Sequence, residues 1–139
     1  MEFIQIESDR IEELWALHLA YKEAIGEETP GDAQRQNLLE AIRQKQISFY
    51  GCLCEGALVA CCSVCVTYST FHYGRSGLFE DFYICPAYRH RGIARRLAAY
   101  AYEQSRVDSL LVGCADCDVE MYKAIGFATP LGRLLAYEK

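Results

Sequence analysis

A chain of 139 residues suits a single hydrophobic core, which normally serves about 100–200 residues, so one domain over 1–139 is expected. Apolar residues make up 52% and charged residues 24%, a balance that excludes a disordered or fibrous chain. The net charge of −5 excludes a general nucleic-acid binder, because neutralising phosphates needs a basic face.

Met1-Glu2-Phe3-Ile4-Gln5 lacks the basic and then apolar pattern of a secretion signal, which points to the cytoplasm. Phe3 to Ile6 is a short strand candidate, and Asp9-Arg10-Ile11-Glu12 has capping-box spacing for a helix start. Leu14, Leu17, His18, Tyr21, Ala24 and Ile25 then recur on one helical face, up to Gly26. The acidic loop Glu27-Glu28-Thr29-Pro30-Gly31-Asp32 leads to a second helix striped by Leu38, Leu39 and Ile42. Two strands follow, Ile47 to Cys54 and Ala57 to Tyr68, joined by a two-residue turn at Glu55-Gly56. The second contains the longest apolar stretch, about half of the ~20 residues that a membrane helix needs, so no membrane partner is expected.

After the loop Ser69 to Gly77, a strand from Leu78 to Cys85 is closed by Pro86. Ile93, Leu97, Tyr100 and Ala101 mark a helix to about Ser105, followed by a strand from Ser109 to Ala115. A short helix, Cys117 to Ile125, and a last strand, Leu131 to Tyr137, complete the order β-α-α-β-β-β-α-β-α-β. The strand-helix-strand unit from Leu78 to Ala115 is a crossover, and the fold class is α/β.

The eight cysteines include two C-x-x-C pairs, Cys62/Cys65 and Cys114/Cys117, which raises zinc as a ligand. Zinc knuckles place such pairs in tight turns, whereas Cys61, Cys62 and Cys65 sit in a Val-rich run without Gly or Pro. They are expected to be small buried hydrophobes, with no metal and no disulfide.

Arg89, Arg91, Arg95 and Arg96 crowd a helix start in an otherwise acidic chain. The first amides of a helix lack intrahelical acceptors and carry partial positive charge, so they suit a phosphate. Gly92 permits close approach and Ala94 is nearly as small. On these residues alone, a solvated basic helix with a structural glycine is an equal alternative.

The run Glu80-Asp81-Phe82-Tyr83-Ile84-Cys85-Pro86-Ala87-Tyr88-Arg89-His90-Arg91-Gly92-Ile93-Ala94 resembles the central motif of the GNAT superfamily of N-acetyltransferases. Met121-Tyr122-Lys123-Ala124-Ile125-Gly126-Phe127 is similar to its closing Tyr-x-x-x-Gly-Phe motif. Tyr68-Ser69-Thr70-Phe71, Gly74-Arg75 and Glu80-Asp81 also resemble the diamine and polyamine branch, and make Tyr68 an acceptor-side candidate.

The resemblance implies a single GNAT-like domain with a central mixed, mostly antiparallel, twisted sheet and helices on both faces. It implies acetyl-CoA as cosubstrate, with the backbone of Phe82, Tyr83 and Ile84 pairing with the pantetheine arm. Arg89, His90, Arg91, Gly92, Ile93, Ala94 and Arg95 would cradle the diphosphate. The superfamily's usual Asn before the closing motif is replaced by Ala115, with Asp116 beside it. Glu27 and Glu28 lie between the two helices that help to form the acceptor site. Homodimers are common in similar proteins.

An alkylamine of pKa ~10.4 is neutral in about one molecule in 2,500 at pH 7, so a base is useful. Glu80 matches the superfamily's strand glutamate and is the expected base, while Tyr122 is the expected general acid toward the departing thiolate. The acceptor would be a primary amine: a small amine, a diamine or polyamine, or a peptide. A non-catalytic acyl-CoA sensor on the same fold, and a cysteine-rich zinc or redox protein, are the rival functions.

Overall fold

The computed structural model describes residues 1–139. Five strands form one sheet in the order β1 (Glu2–Ile6), β2 (Ser48–Cys54), β3 (Ala57–Ser69), β4 (Gly74–Ile84) and β5 (Ser109–Val112). The first four are antiparallel neighbours, and β5 runs parallel to β4. That parallel step requires a crossover, which is supplied by α3 (Ile93–Ser105).

Glu55 and Gly56 both have positive φ, +51° and +81°, the mirror-image turn whose twist suits a two-residue hairpin. Helices cover both faces. On one side α3 sets Ile93, Leu97, Ala98 and Ala101 against Tyr50, Cys52, Cys62, Val64 and Phe79. On the other, Leu14 and Leu17 of α1 (Ile11–Ala24) and Ile42 of α2 (Asp32–Arg43) pack on Phe49, Leu53 and Cys61. Each such fully buried large side chain contributes about 1.5–3 kcal/mol through removal from water. No helix is long and apolar enough to cross a membrane.

Four expectations are corrected. Leu131 to Tyr137 forms no strand: Leu131, Leu134, Leu135 and Tyr137 are 70–92% exposed, and no neighbour supplies a ladder. The segment has a strand's composition without a strand's partner. The third long strand begins at Gly74 rather than Leu78, because β3 and β4 stay paired down to Ser69 and Gly74 around a tight turn. The capping box at Asp9 is absent; Ser8–Arg10 is a 3-10 turn, and α1 starts at Ile11 with no side-chain cap. The strand from Ser109 stops at Val112, and a 3-10 turn at Asp116–Asp118 opens into α4 (Val119–Ile125).

Cys52, Cys61 and Cys62 occupy core positions, where burial pushes all three thiols above their usual pKa. Cys114 and Cys117 are exposed, so the packed role does not extend to them.

Candidate active site

The ladder between β4 and β5 ends at Phe79 and Val112. From Glu80 to Ile84, β4 keeps β3 on one side and has no strand on the other. The sheet therefore opens where the sequence expectation placed a pantetheine arm, beside Phe82, Tyr83 and Ile84. Peptide groups along such an edge lack sheet partners and can bind an extended ligand.

A bulge sits at the same place. Cys61 pairs with Tyr83 but Ser63 pairs with Glu80, so β4 has one extra residue in this stretch. Asp81 absorbs it with φ +53°, an uncommon conformation for a side-chain-bearing residue. Its Oδ2 accepts a 2.6 Å hydrogen bond from Ser63 Oγ, and its carbonyl oxygen accepts from the Cys61 thiol. As a result Phe82 and Ile84 pack with the α3 face, and Tyr83 packs with the α1 face.

Glu80 is exposed, but partial burial of its carboxyl and then the neighbouring Asp81 carboxylate raise its pKa; Lys22 opposes them. A carboxylate so placed is a stronger base than a free one.

The loop after β4 turns twice through the left-handed region, at His90 (φ +62°) and Gly92 (φ +79°). Gly92 is the N-cap of α3 and no side chain caps that end. The amides of Ile93, Ala94 and Arg95 lie in the uncapped first turn, next to exposed Arg89, His90 and Arg91. That arrangement fits a diphosphate. Not every arginine is spare, however. Arg89 Nε donates to the Ile84 carbonyl at 2.9 Å, and its guanidinium lies over the Tyr83 ring. Arg95 donates to the Ala124 carbonyl, tying α3 to the end of α4, and Arg96 lies over Phe3. Arg91, stacked on Tyr88, is left at the loop.

Tyr122-x-x-x-Gly126-Phe127 is a helix C-cap. Phe127 N–H donates to the Tyr122 carbonyl at 3.0 Å and Gly126 N–H to Lys123 at 3.2 Å, the paired bonds of a Schellman motif. Gly126 has φ +124°, and the Phe127 ring meets Tyr122 edge-on at 5.8 Å. Tyr122 also packs 6.3 Å from Phe82, at the opened part of β4. Burial first, then Tyr21, Asp118 and Cys114, push its phenol up to about 12. It stays protonated at neutral pH.

Tyr21 was visible in the sequence only as a helix-face residue. Its pKa is raised by burial and then by Asp81, and it also feels Lys22, Glu27 and Glu80. His18 is held below its usual pKa by burial, against the pull of Asp81. Tyr21 thus belongs with Glu80, Asp81 and Tyr122, a grouping that requires α1 to lie across the bulge.

Glu27 and Glu28 border a cavity of about 580 Å³ with His18, Lys22 and Gln34. Glu27 is engaged by Lys22 at 2.7 Å, which leaves Glu28 as the freer carboxylate. Tyr68 is not brought to this group. It pairs with Arg75, five residues and about 17 Å along β4 from Glu80, and is 69% exposed. The Gly74-Arg75 pair has structural work: Asp108 accepts from Arg75 N–H where a Cβ on Gly74 would clash, and the Arg75 guanidinium caps the Ser105 and Arg106 carbonyls.

A family model described as an acetyltransferase (GNAT) domain matches residues 44–129, more than half of the chain. The fold is shared with a probable acetyltransferase at TM-score 0.84 and 20% identity, covering 100% of both chains. A predicted acetyltransferase from Clostridium acetobutylicum, determined with acetyl-CoA, matches at TM-score 0.79 and 14% identity over 99% of this chain and 95% of that one. Glucosamine-6-phosphate N-acetyltransferase from Arabidopsis thaliana matches at TM-score 0.74 and 14% identity, over 99% and 98%. At these identities the likeness is one of fold. No curated protein sequence matches the chain.

Proposed function

We propose, since the chain belongs to the GNAT family of N-acetyltransferases, that it moves the acetyl group of acetyl-CoA directly to a small cationic primary amine in the cytoplasm. The observation that carries this is the opening of β4 from β5 beyond Phe79, with Glu80 toward the α1 side and Tyr122 against Phe82 on the α3 side. Donor and acceptor can then meet through the sheet from opposite faces.

The pantetheine arm lies along Phe82 to Ile84 and the diphosphate on the amides of Ile93 to Arg95, with Arg91 adding charge. Glu80 takes a proton from the incoming ammonium, directly or through a water. The amine nitrogen attacks the thioester carbonyl, and a backbone N–H near Ile84 stabilises the oxyanion that develops. The carbon–sulfur bond breaks as the carbon–nitrogen bond is completed, and the departing sulfur receives the Tyr122 proton.

With the Tyr122 phenol near 12 and a free thiol near 8.5, complete transfer is uphill by about 5 kcal/mol. Tyr122 therefore acts first as a hydrogen-bond donor to the sulfur, and its proton moves late. Glu80, Asp81 and Glu28 outnumber the one nearby lysine, Lys22, which supports a cationic acceptor. The match to the diamine branch adds nothing to this, because Tyr68 and Arg75 lie elsewhere.

The test is mass spectrometry of products after incubation with acetyl-CoA and a mixture of diamines, amino sugars, amino acids and peptides. Acetylated amines bearing a second positive charge are expected. Products confined to neutral or acidic acceptors would overturn the cationic assignment, and tight acetyl-CoA binding with no product would mark an acyl-CoA-binding module.

A further inference from the structure

His18 takes no part in the transfer described above, yet it lines the cavity of about 580 Å³ with Lys22, Glu27, Glu28 and Gln34. It projects from α1 one turn before Tyr21 and lies between two aromatic rings. Trp15 is stacked on it at 5.5 Å, and Tyr21 is tilted against it at 6.2 Å. This packing removes water from the ring and disfavours its charged form, so His18 is neutral at neutral pH. No hydrogen bond within the protein fixes its proton.

The same cavity already holds one cation. The Lys22 ammonium sits 2.7 Å from Glu27 Oε2 and 5.6 Å from the centre of the Tyr21 ring, so a carboxylate and an aromatic face share it. The charged groups that act on His18 come from three places. Lys22 on α1 repels a proton there, while Glu27 from the following loop and Asp81 from β4 attract it. Glu28 borders the cavity as well, α2 adds only the uncharged Gln34, and burial keeps the Tyr21 phenol neutral. Carboxylates therefore outnumber ammonium groups, and a second cation is favoured. A proton on His18 would itself be that cation.

We propose that an acceptor's ammonium group and a proton on the His18 ring compete for the same carboxylates, so the site takes cationic acceptors only while His18 is neutral. Such competition is reciprocal: the factor by which protonation weakens acceptor binding is the factor by which a bound acceptor weakens protonation. A coupling of about tenfold moves the His18 titration down by about one pH unit. His18 and Glu80 then act on different quantities. Charge on His18 weakens acceptor affinity, whereas protonation of Glu80 removes the base and lowers kcat.

The inference rests on the reading that a cationic amine enters from the α1 side, but its test needs no acetyl transfer. Trp15 is the one tryptophan of the chain, and a protonated imidazole in contact with an indole quenches its fluorescence. Emission from the full chain should fall on acidification, with a midpoint below the ~6.5 of a free histidine. Putrescine, fully charged throughout that range, should lower the midpoint by about one further unit, and uncharged butanediol should leave it in place. His18→Gln should abolish the quench and flatten the acid rise of acceptor KM, while kcat keeps its pH dependence. A midpoint that putrescine moves no more than butanediol does overturns the competition. So does a His18→Gln variant whose KM climbs in acid as steeply as that of the wild type. A midpoint shifted by putrescine in a protein that acetylates no amine would uphold the competition and remove the acetyl-transfer reading instead.

Discussion

Ser63 Oγ donates a 2.6 Å hydrogen bond to Asp81 Oδ2, and Ser63 is also the residue that faces Glu80 across the β3–β4 ladder. The bond holds the bulge that returns Phe82 and Ile84 to the α3 face, next to a Glu80 that already faces α1 from the regular ladder opposite Ser63. Ser63 is 1% exposed, so no water readily replaces it. Ser63→Ala would leave part of the Asp81 carboxylate unsatisfied, a cost of about 1–3 kcal/mol. The variant is expected to melt lower and to lose kcat, while acetyl-CoA affinity changes little. Thermal melts with steady-state kinetics check this.

Tyr122→Phe retains the ring that packs on Phe82 and Phe127 and removes only the proton donor. General acids commonly contribute 10²–10⁴-fold, so kcat should fall by roughly 10²-fold with the dissociation constant for acetyl-CoA unchanged. Calorimetric titration alongside kinetics separates the two quantities. An unchanged kcat removes Tyr122 from the mechanism.

Glu80→Gln tests the base through its pH dependence. Below the raised pKa of Glu80 the wild-type carboxyl is protonated and offers no advantage, and near the pKa of the amine the acceptor is already neutral. The wild-type to variant ratio of kcat/KM should therefore peak between these limits and fall on either side. Stability carries the opposite sign. A carboxyl whose pKa is raised by folding binds its proton more tightly in the folded state, so stability is greatest below the unfolded pKa and is lost as pH rises through the folded one. The glutamine variant should accordingly melt no lower than wild type at pH 7. A ratio that is flat with pH removes Glu80 as a base.

Gly92→Ala places a side chain at φ +79°. No atom lies within 4 Å of the added Cβ, so the penalty is backbone strain of about 1 kcal/mol, not a clash. Relaxing that strain re-aims the first amides of α3. KM for acetyl-CoA should rise by about tenfold, with kcat at saturation close to wild type. An equal loss in kcat would place Gly92 in the chemistry rather than in phosphate binding.

Much of this molecule is legible in its sequence because local chemistry and tertiary structure agree. Glu55-Gly56 has the residues that a two-residue turn demands, and the apolar spacing of α3 is matched by what it buries. Gly126-Phe127 marks a helix end whose hydrogen bonds are encoded within six residues. What escaped depends on distant partners. Leu131 to Tyr137 looks like a strand, but a strand exists only beside another strand. The bulge at Asp81 follows from the offset of β4 against β3, which no local pattern records. Tyr21 joins the site only because α1 crosses over that bulge. The side chain of Arg95, expected at a phosphate, is drawn instead to the free carbonyl at Ala124.

Acetyl transfer through the gap between β4 and β5 is tested most directly by amine-dependent release of CoA thiol, comparing the full chain with its Tyr122→Phe variant. Release that requires a cationic amine, and that drops roughly 10²-fold in a variant still binding acetyl-CoA, is the expected result. Binding of acetyl-CoA without thiol release in the presence of any amine, or release at the same rate in the variant, would contradict it.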